Sequence, residues 1–167
     1  MTGLVGGHLD ESAVASVRSE LHHEDWYESE TFHNGTMGLS ILHHGERDPK
    51  GRTTWERGSR AGIVYGVVTN MDELGLDAES LFEGILDEPQ TLLPELDGTF
   101  LIAAMDGNAE RIVLASDKLG TRQCFYVDGD PTAFSTELGA LTTLLDDPQV
   151  DERAISDLLM IGHVWGE

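Results

Sequence analysis

The segment that decides the fold is residues 96–141, LDGTFLIAAMDGNAERIVLASDKLGTRQCFYVDGDPTAFSTELGAL. It contains two short apolar runs, 99–105 and 111–115, separated by the polar residues DGN at 106–108. This pattern is typical of two adjacent strands joined by a tight turn. Both runs are apolar at successive positions, so we expect each strand to be covered on both faces.

The remainder of this segment predicts two more strands and a helix. The KLG turn at 118–120 precedes a strand at 124–127, and a second strand follows at 132–135. A helix should then begin, with Ser135 or Thr136 as its N-cap. One face of this helix would carry three leucines, namely Leu138, Leu141 and Leu145.

The flanking sequence adds elements of both kinds. Apolar residues recur at helical spacing in 10–23, with Asp10 or Ser12 as cap, and again in 72–86 and 151–161. Short apolar runs predict strands near residues 4–5 and over 36–42 and 61–70. The polar stretches 24–30 and 43–59 are expected to be linkers and loops. Two-sided strands flanked by helices predict an α+β domain.

Five motifs of the chain match a known family in order and at compatible spacing: Leu96-Asp97-Gly98, Phe100, Asp117-Lys118-Leu119-Gly120, Phe125-Tyr126 and Phe134-Ser135-Thr136-Glu137-Leu138. Together they closely resemble the second half of the class II glutamine amidotransferase domain of asparagine synthetases. Two departures are Ser116 and Gln123, where the family usually has arginine and proline. The resemblance implies the four-layer αββα sandwich of N-terminal nucleophile (Ntn) hydrolases, with mostly antiparallel sheets.

The resemblance also implies the domain organisation. Residues 1–150 would form the amidotransferase-like domain, and 151–167 a helix leading toward a synthetase-type domain that uses ATP. The serine- and glycine-rich pyrophosphatase loop of that second domain is absent from this sequence. We therefore expect the chain to be an excised first domain or a free-standing remnant.

The family's catalytic nucleophile is a cysteine that follows the initiator methionine and whose own α-amino group takes the proton. Here that position is Thr2. Two interpretations stay open. Thr2 remains an N-terminal nucleophile, since threonine with its own amine is a known pair, or the nucleophile has been lost and the fold kept. A hydroxyl is far less ionised than a thiol near pH 7, so Thr2 should attack an amide more slowly.

An asparagine–glycine pair forms the oxyanion hole in the family, and the alignment places Tyr65 and Gly66 there. Gly66 still has a backbone N–H that can donate a hydrogen bond to an oxyanion. The hydroxyl of Tyr65 can also donate, but its reach is quite different from that of an asparagine carboxamide. Loss of one such donor typically lowers the rate about 100–1000-fold.

Two further family positions bind the substrate glutamine. An arginine near the strand at 36–42 binds the α-carboxylate; the alignment puts Gly38 there, and Arg47 in the following loop is the alternative. An aspartate before the helix binds the α-amino group, and Asp77 fits that position. Asp77 fits a helix N-cap equally well.

The composition narrows the classes of partner. The net charge is -21, from 31 acidic and 10 basic residues spread along the chain. Such a surface repels nucleic acid and anionic membranes, and we expect neither as a partner. We hypothesise a salt-rich cytoplasm, where screening removes the self-repulsion. No signal segment or long apolar run is visible, and the single cysteine, Cys124, is expected to be a buried hydrophobe in a reducing cytoplasm.

No cofactor and no metal site is predicted, because the histidines lack metal-ligand spacing and no phosphate-binding glycine loop occurs. Three of the four catalytic and binding positions depart from the family pattern. The sequence therefore favours a degenerate amidotransferase-like domain with a structural or regulatory role toward a synthetase-type domain, a partner or a second copy. The alternative is an active amidohydrolase that uses Thr2 to release ammonia from glutamine or another small amide.

Overall fold

The computed structural model describes residues 3–45, 53–162 and 164, which form two antiparallel β-sheets with helices on the outer faces. In the first sheet the strands lie in the order β2 (Glu28–His33), β3 (Gly38–His43), β1 (Gly3–Gly7), β9 (Ala133–Ser135) and β8 (Phe125–Val127). In the second sheet the order is β4 (Thr53–Arg57), β5 (Arg60–Val68), β6 (Gly98–Asp106) and β7 (Arg111–Ser116).

Helices cover both sheets. In chain order the described helices are α1 (Glu11–Glu20), α2 (Ala78–Asp87), α3 (Pro89–Leu92), α4 (Leu138–Thr142) and α5 (Glu152–Ile161), with a 3-10 turn at Leu93–Glu95. One apolar cluster lies between the two sheets, a second joins the first sheet to α1 and α4, and a third joins the second sheet to α2. The predicted α+β two-sheet sandwich is thus confirmed, with four layers in the order helix, sheet, sheet, helix.

The hairpin predicted from the central segment is present. Strands β6 and β7 pair in register from Leu101 opposite Ser116 to Asp106 opposite Arg111. Strand β6 is buried on both faces over most of its length, as expected. The expectation of two-sided burial is wrong for β7, where Leu114 is 38% exposed. The cause is position, since β7 is an edge strand and α2 packs over β4, β5 and β6, toward the other side of the sheet.

Two strands lie in stretches that the sequence marked as polar linker or loop. Strand β2 covers part of 24–30 and pairs with β3 from Glu28 opposite His43. Strand β4 lies within 43–59 and pairs with β5 from Thr53 opposite Val64. Both are edge strands with many exposed side chains, so neither shows the apolar alternation of a half-buried strand.

Helix boundaries also differ from the prediction. Helix α2 begins at Ala78, because Asp77 caps it, and not near residue 72. Helix α4 ends at Thr142, and its N-cap residue is Glu137, whose side chain makes no capping bond, and not the predicted Ser135 or Thr136. Leu141 is buried as expected, whereas Leu138 and Leu145 are exposed.

Helix α5 has no buried residue. The division into 1–150 and 151–167 stays a prediction. Among the described residues, none of the helices is both long and apolar enough to cross a bilayer.

Candidate functional site

Strand β1 begins at Gly3, the residue directly after the predicted nucleophile Thr2. Thr2 itself lies outside the described residues. Gly3 lies opposite Leu42 of β3. Leu4 donates its N–H to Thr136 Oγ1 at 3.0 Å, and its carbonyl accepts the Thr136 N–H at 3.0 Å. The segment between β9 and α4 therefore holds the start of β1 in place.

Gly66 lies in the middle of the second sheet, opposite Phe100 of β6. Its φ angle is +121°, and a Cβ at this position would lie 2.1 Å from the carbonyl oxygen of Thr99. Both facts demand glycine here, because L residues rarely adopt this conformation and the contact is with backbone. Backbone geometry therefore requires glycine at position 66, and its role as an oxyanion donor stays a prediction.

A cavity of about 290 Å³ opens beside Gly66. Its lining is formed by the end of β5, the loop before α2 and the first residue of β4, and includes Gly66, Thr69, Met71, Leu76 and Thr53. The cavity is open to solvent and of a size suited to a small molecule.

Tyr65 packs against the apolar cluster between the two sheets, which includes Leu4 and Phe134. The guanidinium carbon of Arg122 lies 5.3 Å from the centroid of its ring. Burial raises the pKa of the Tyr65 hydroxyl, the positive charge of Arg122 opposes that rise, and the charge of Glu137 adds to it. The phenol is therefore neutral near pH 7 and lies at the inter-sheet space near the start of β1.

Asp77 is the N-cap of α2. Its Oδ1 accepts bonds from the Ser80 N–H at 2.8 Å and the Ser80 hydroxyl at 2.7 Å, while Ser80 Oγ accepts the Asp77 N–H at 2.9 Å. The Ser80 hydroxyl and N–H hold the pKa of this carboxyl below its usual range. The cap interpretation of Asp77 is thus confirmed, and its contact with a substrate amine stays a prediction.

The structure describes one of the two positions considered for the carboxylate-binding arginine. Gly38 lies opposite Gly7, four residues or roughly 13 Å along β1 from Gly3. A Cβ at Gly38 would lie 2.5 Å from Val14 of α1, so a side chain there would point away from the inter-sheet space. Arg47 follows the end of β3 that lies next to Gly3, but it lies outside the described residues and stays a prediction.

Two charged side chains near Tyr65, Arg122 and Glu137, were not predicted as site residues from the sequence. Glu137 accepts a bond from His23 Nε2, at 2.9 Å to its Oε2, and the guanidinium of Arg122 lies over the ring of Tyr65. The available signal was a basic residue three positions before the strand at Phe125–Val127, in a chain poor in bases. Such a signal does not reveal which strand of the other sheet the side chain of Arg122 will contact in the fold.

Cys124 is half-buried, whereas the sequence predicted a buried hydrophobe. It packs against the inter-sheet cluster, and burial raises the pKa of its thiol to about 11. A thiol with this pKa stays protonated near pH 7 and is a poor nucleophile. Within residues 3–45, 53–162 and 164, no group of three His, Cys, Asp or Glu side chains is arranged to hold a metal ion.

Comparison with known proteins identifies the family. The family model for a glutamine amidotransferase domain matches residues 74–166, more than half of the chain. Comparison with curated proteins gives no match. The matched range includes β6, β7 and the Asp117 turn, on which the resemblance to class II amidotransferases was based. The chain therefore belongs to the glutamine amidotransferase domain family.

Proposed function

We propose that this chain is an amidotransferase domain of the asparagine synthetase type, with an Ntn-hydrolase fold and a degenerate glutaminase site. Its role is structural or regulatory toward a synthetase-type domain, another partner or a second copy. The family uses glutamine as its amide donor, and glutamine is therefore the ligand that we propose for this site. The acidic surface and the single half-buried cysteine support a reducing, salt-rich cytoplasm as its location.

The observation that carries this proposal is the position of Tyr65. Where the family uses a carboxamide to stabilise an oxyanion, this chain has a phenol whose ring packs between the sheets beneath Arg122. Gly66 would then be the remaining donor of the pair. Removal of one oxyanion donor lowers the rate about 100–1000-fold.

The nucleophile and the amine-binding aspartate support the same conclusion. Thr2 offers a hydroxyl that ionises far less readily than a thiol, and Asp77 uses one carboxylate oxygen to cap α2. Substitution of several complementary groups is what a site no longer used for glutamine hydrolysis would show.

Helix α5 supports a role in assembly. Leu158, Leu159 and Met160 are 53%, 81% and 82% exposed, so the helix presents apolar side chains without burying any against its own domain. A contiguous exposed apolar surface is a common feature of protein–protein contact sites.

Ammonia release tests the proposal. The mature protein, checked by mass spectrometry for loss of Met1, is incubated with glutamine and simple amides. We expect no release above the level of a Thr2→Ala variant. Thr36→Ala, at an exposed threonine, is the matched control. Turnover that Thr2→Ala abolishes and Thr36→Ala preserves would overturn the degenerate site.

The second candidate function is an active amidohydrolase with Thr2 as nucleophile. The retained Gly66 and the cavity of about 290 Å³ beside it favour this candidate. In that case Gly66 donates its N–H to the oxyanion, and the substrate is an amide other than glutamine. Retention of Met1 together with absent turnover would eliminate it, because the free amine would then lie one residue from the hydroxyl.

A further inference from the structure

A second cavity, of about 340 Å³, lies where helix α2 ends. Its walls come from the loop before α2, the last turn of that helix, helix α3 and the 3-10 turn that follows. Small-molecule sites in proteins have volumes of about 300–1,000 Å³, so this cavity is large enough for a small ligand.

The interior of this cavity is aliphatic. Leu74, Leu76 and Leu92 line it, and the last two also pack against the apolar cluster between α2 and the second sheet. Gly84 lines it from the helix, where a Cβ would lie 2.7 Å from Cδ2 of Leu92. The missing side chain at Gly84 thus allows Leu92 to approach α2, and the three leucines offer an apolar surface to an alkyl chain.

Hydrogen bonds hold the walls in place. The Leu74 N–H donates to the Asn70 carbonyl at 3.1 Å, and the Leu76 N–H donates to the Met71 carbonyl at 2.8 Å. Asn70 Nδ2 in turn donates to the Glu95 carbonyl at 2.9 Å, which joins the loop to the 3-10 turn. The cavity is therefore formed before any ligand enters, and binding would cost little ordering of the chain.

The rim of the cavity is acidic. Asp87, Glu88 and Glu95 line it, and none of its lining residues is basic. Asp87 shares its Oδ1 with Arg60 at 3.1 Å. Glu88 and Glu95 take part in no ion pair among residues 3–45, 53–162 and 164. Two carboxylates at this rim are thus available to a cation.

The end of α2 adds negative charge. The last carbonyls of a helix carry partial negative charge and favour a cation nearby. The last turn of α2 contains no basic residue, although Arg111 reaches the Leu86 carbonyl from β7. Glu88 precedes α3 without forming a side-chain capping bond, so capping does not occupy its carboxylate. An apolar interior beneath an acidic rim is complementary to a molecule with an alkyl body and a cationic head.

We propose that this cavity binds a small organic cation with an aliphatic body, of the primary alkylammonium class. The leucines hold the alkyl chain, and Glu88 and Glu95 receive the ammonium group. Leu76 also lines the cavity beside Gly66, so the ligand would contact the loop that the two cavities share. The proposal does not depend on whether the amidotransferase site is active.

A titration of leucine-methyl-labelled protein followed by NMR tests this site. The probes are n-hexylammonium, 1-hexanol, which lacks the charge, and methylammonium, which lacks the chain. We expect n-hexylammonium to shift the methyl signals of Leu74, Leu76 and Leu92 with a Kd of about 1 mM or below. It should bind at least about 3-fold more tightly than 1-hexanol in about 0.1 M KCl, since exposed ion pairs contribute modestly. Methylammonium should leave the three signals unchanged.

Variants separate the charge from the apolar contact. Glu88→Gln with Glu95→Gln should remove the preference for n-hexylammonium over 1-hexanol. Asp146→Asn with Asp147→Asn removes the same number of charges outside the cavity, and this matched control should keep the preference. Leu74→Ser should weaken the binding of both probes. Leu74 is 39% exposed in a loop, so this variant should fold, and thermal melts check each protein.

Three results would overturn the proposal. The first is the absence of shifts at the three leucines with n-hexylammonium. The second is equal affinity of the wild type for n-hexylammonium and 1-hexanol. The third is an equal loss of preference in the two double variants, which would show a general attraction of cations to the acidic surface. Retention of the preference in the control together with its loss in the Glu88 and Glu95 variant would support the site.

Discussion

Asp117 and Phe100 are joined by two hydrogen bonds across the end of the β6–β7 hairpin. The Asp117 N–H donates to the Phe100 carbonyl at 3.0 Å, and the Phe100 N–H donates to Asp117 Oδ2 at 3.2 Å. The same carboxylate accepts the Leu119 N–H and both the N–H and hydroxyl of Thr121. One buried aspartate thus holds the turn after β7 against the central strand β6.

This network predicts a specific dependence of stability on acid. The Thr121 hydroxyl and three backbone N–H groups lower the pKa of Asp117 to about 2, from about 4 in an unfolded chain. A carboxyl with a depressed pKa stabilises the fold above its unfolded pKa, and the contribution is lost as pH falls from about 4 to about 2. We expect Asp117→Asn to lower the melting temperature at pH 7 and to flatten its fall in this window.

Thermal melts from about pH 7 to about pH 2 provide the measurement. Asp146→Asn, at an exposed carboxylate, is the control and should leave the wild-type profile unchanged. A wild-type slope that persists in Asp117→Asn would show that other groups produce it.

The contact between Gly62 and Phe82 gives a packing prediction. A Cβ at Gly62 would lie 2.1 Å from the Phe82 ring, which is fully buried between α2 and the second sheet. Gly62→Ala should therefore lower the free energy of unfolding by about 1–3 kcal/mol through overpacking. Adding Phe82→Leu should recover part of this loss, because the ring atoms nearest the new methyl are removed.

Urea denaturation measures both changes. Gly139→Ala is the matched control, because Gly139 is in helix α4 and a Cβ there would meet nothing within 4 Å. That substitution should be neutral or stabilising by up to about 1 kcal/mol. Additive effects of Gly62→Ala and Phe82→Leu would show that the two residues do not interact in solution.

Restoring family residues should raise ammonia release from glutamine stepwise. Thr2→Cys supplies the thiol, and we expect little release from it alone because, under the proposed assignment, Tyr65 does not replace the carboxamide donor. The double variant Thr2→Cys with Tyr65→Asn should be about 100-fold faster than the single, the typical effect of one such donor. Equal rates of ammonia release in both variants would show that Tyr65 is not the cause of the low activity. Thr2→Ala with Tyr65→Asn controls for release that does not depend on the nucleophile.

Asp77 can be tested with two substitutions that separate capping from charge. Asparagine is as good an N-cap as aspartate, whereas alanine is a poor one. We expect Asp77→Asn to keep both the melting temperature and the affinity for L-glutamine, and Asp77→Ala to lower the melting temperature. Loss of affinity in a fully stable Asp77→Asn variant would instead assign the carboxylate to the ligand's amine.

The acidic surface predicts stabilisation by salt. With a net charge of -21, self-repulsion destabilises the folded chain at low ionic strength. Raising KCl from about 0.01 to 1 M shortens the Debye length from about 30 to about 3 Å, so the melting temperature should rise. The variant Asp146→Asn with Asp147→Asn should show a smaller rise. An unchanged melting temperature in wild type would refute salt adaptation.

Much of the fold could be predicted because its signals are local. The β6–β7 hairpin, the helix at 11–20 and the caps at Asp10 and Asp77 each depend on residues close in sequence. The edge strands β2 and β4 could not be predicted, since their pairing depends on neighbours distant in sequence and their exposed side chains lack apolar alternation.

The sequence by itself determined the hairpin motifs and the acidic composition, and it gave Thr2 and Tyr65 as the proposed counterparts of the family's cysteine and asparagine, since these are matters of residue identity and local period. Only the tertiary structure decided that β7 is an exposed edge, that Gly38 faces α1, and that Arg122 lies over Tyr65. Those relationships join residues from different strands and sheets. These relationships arise from the order of the strands and the packing of the two sheets, and no local sequence pattern predicts either feature.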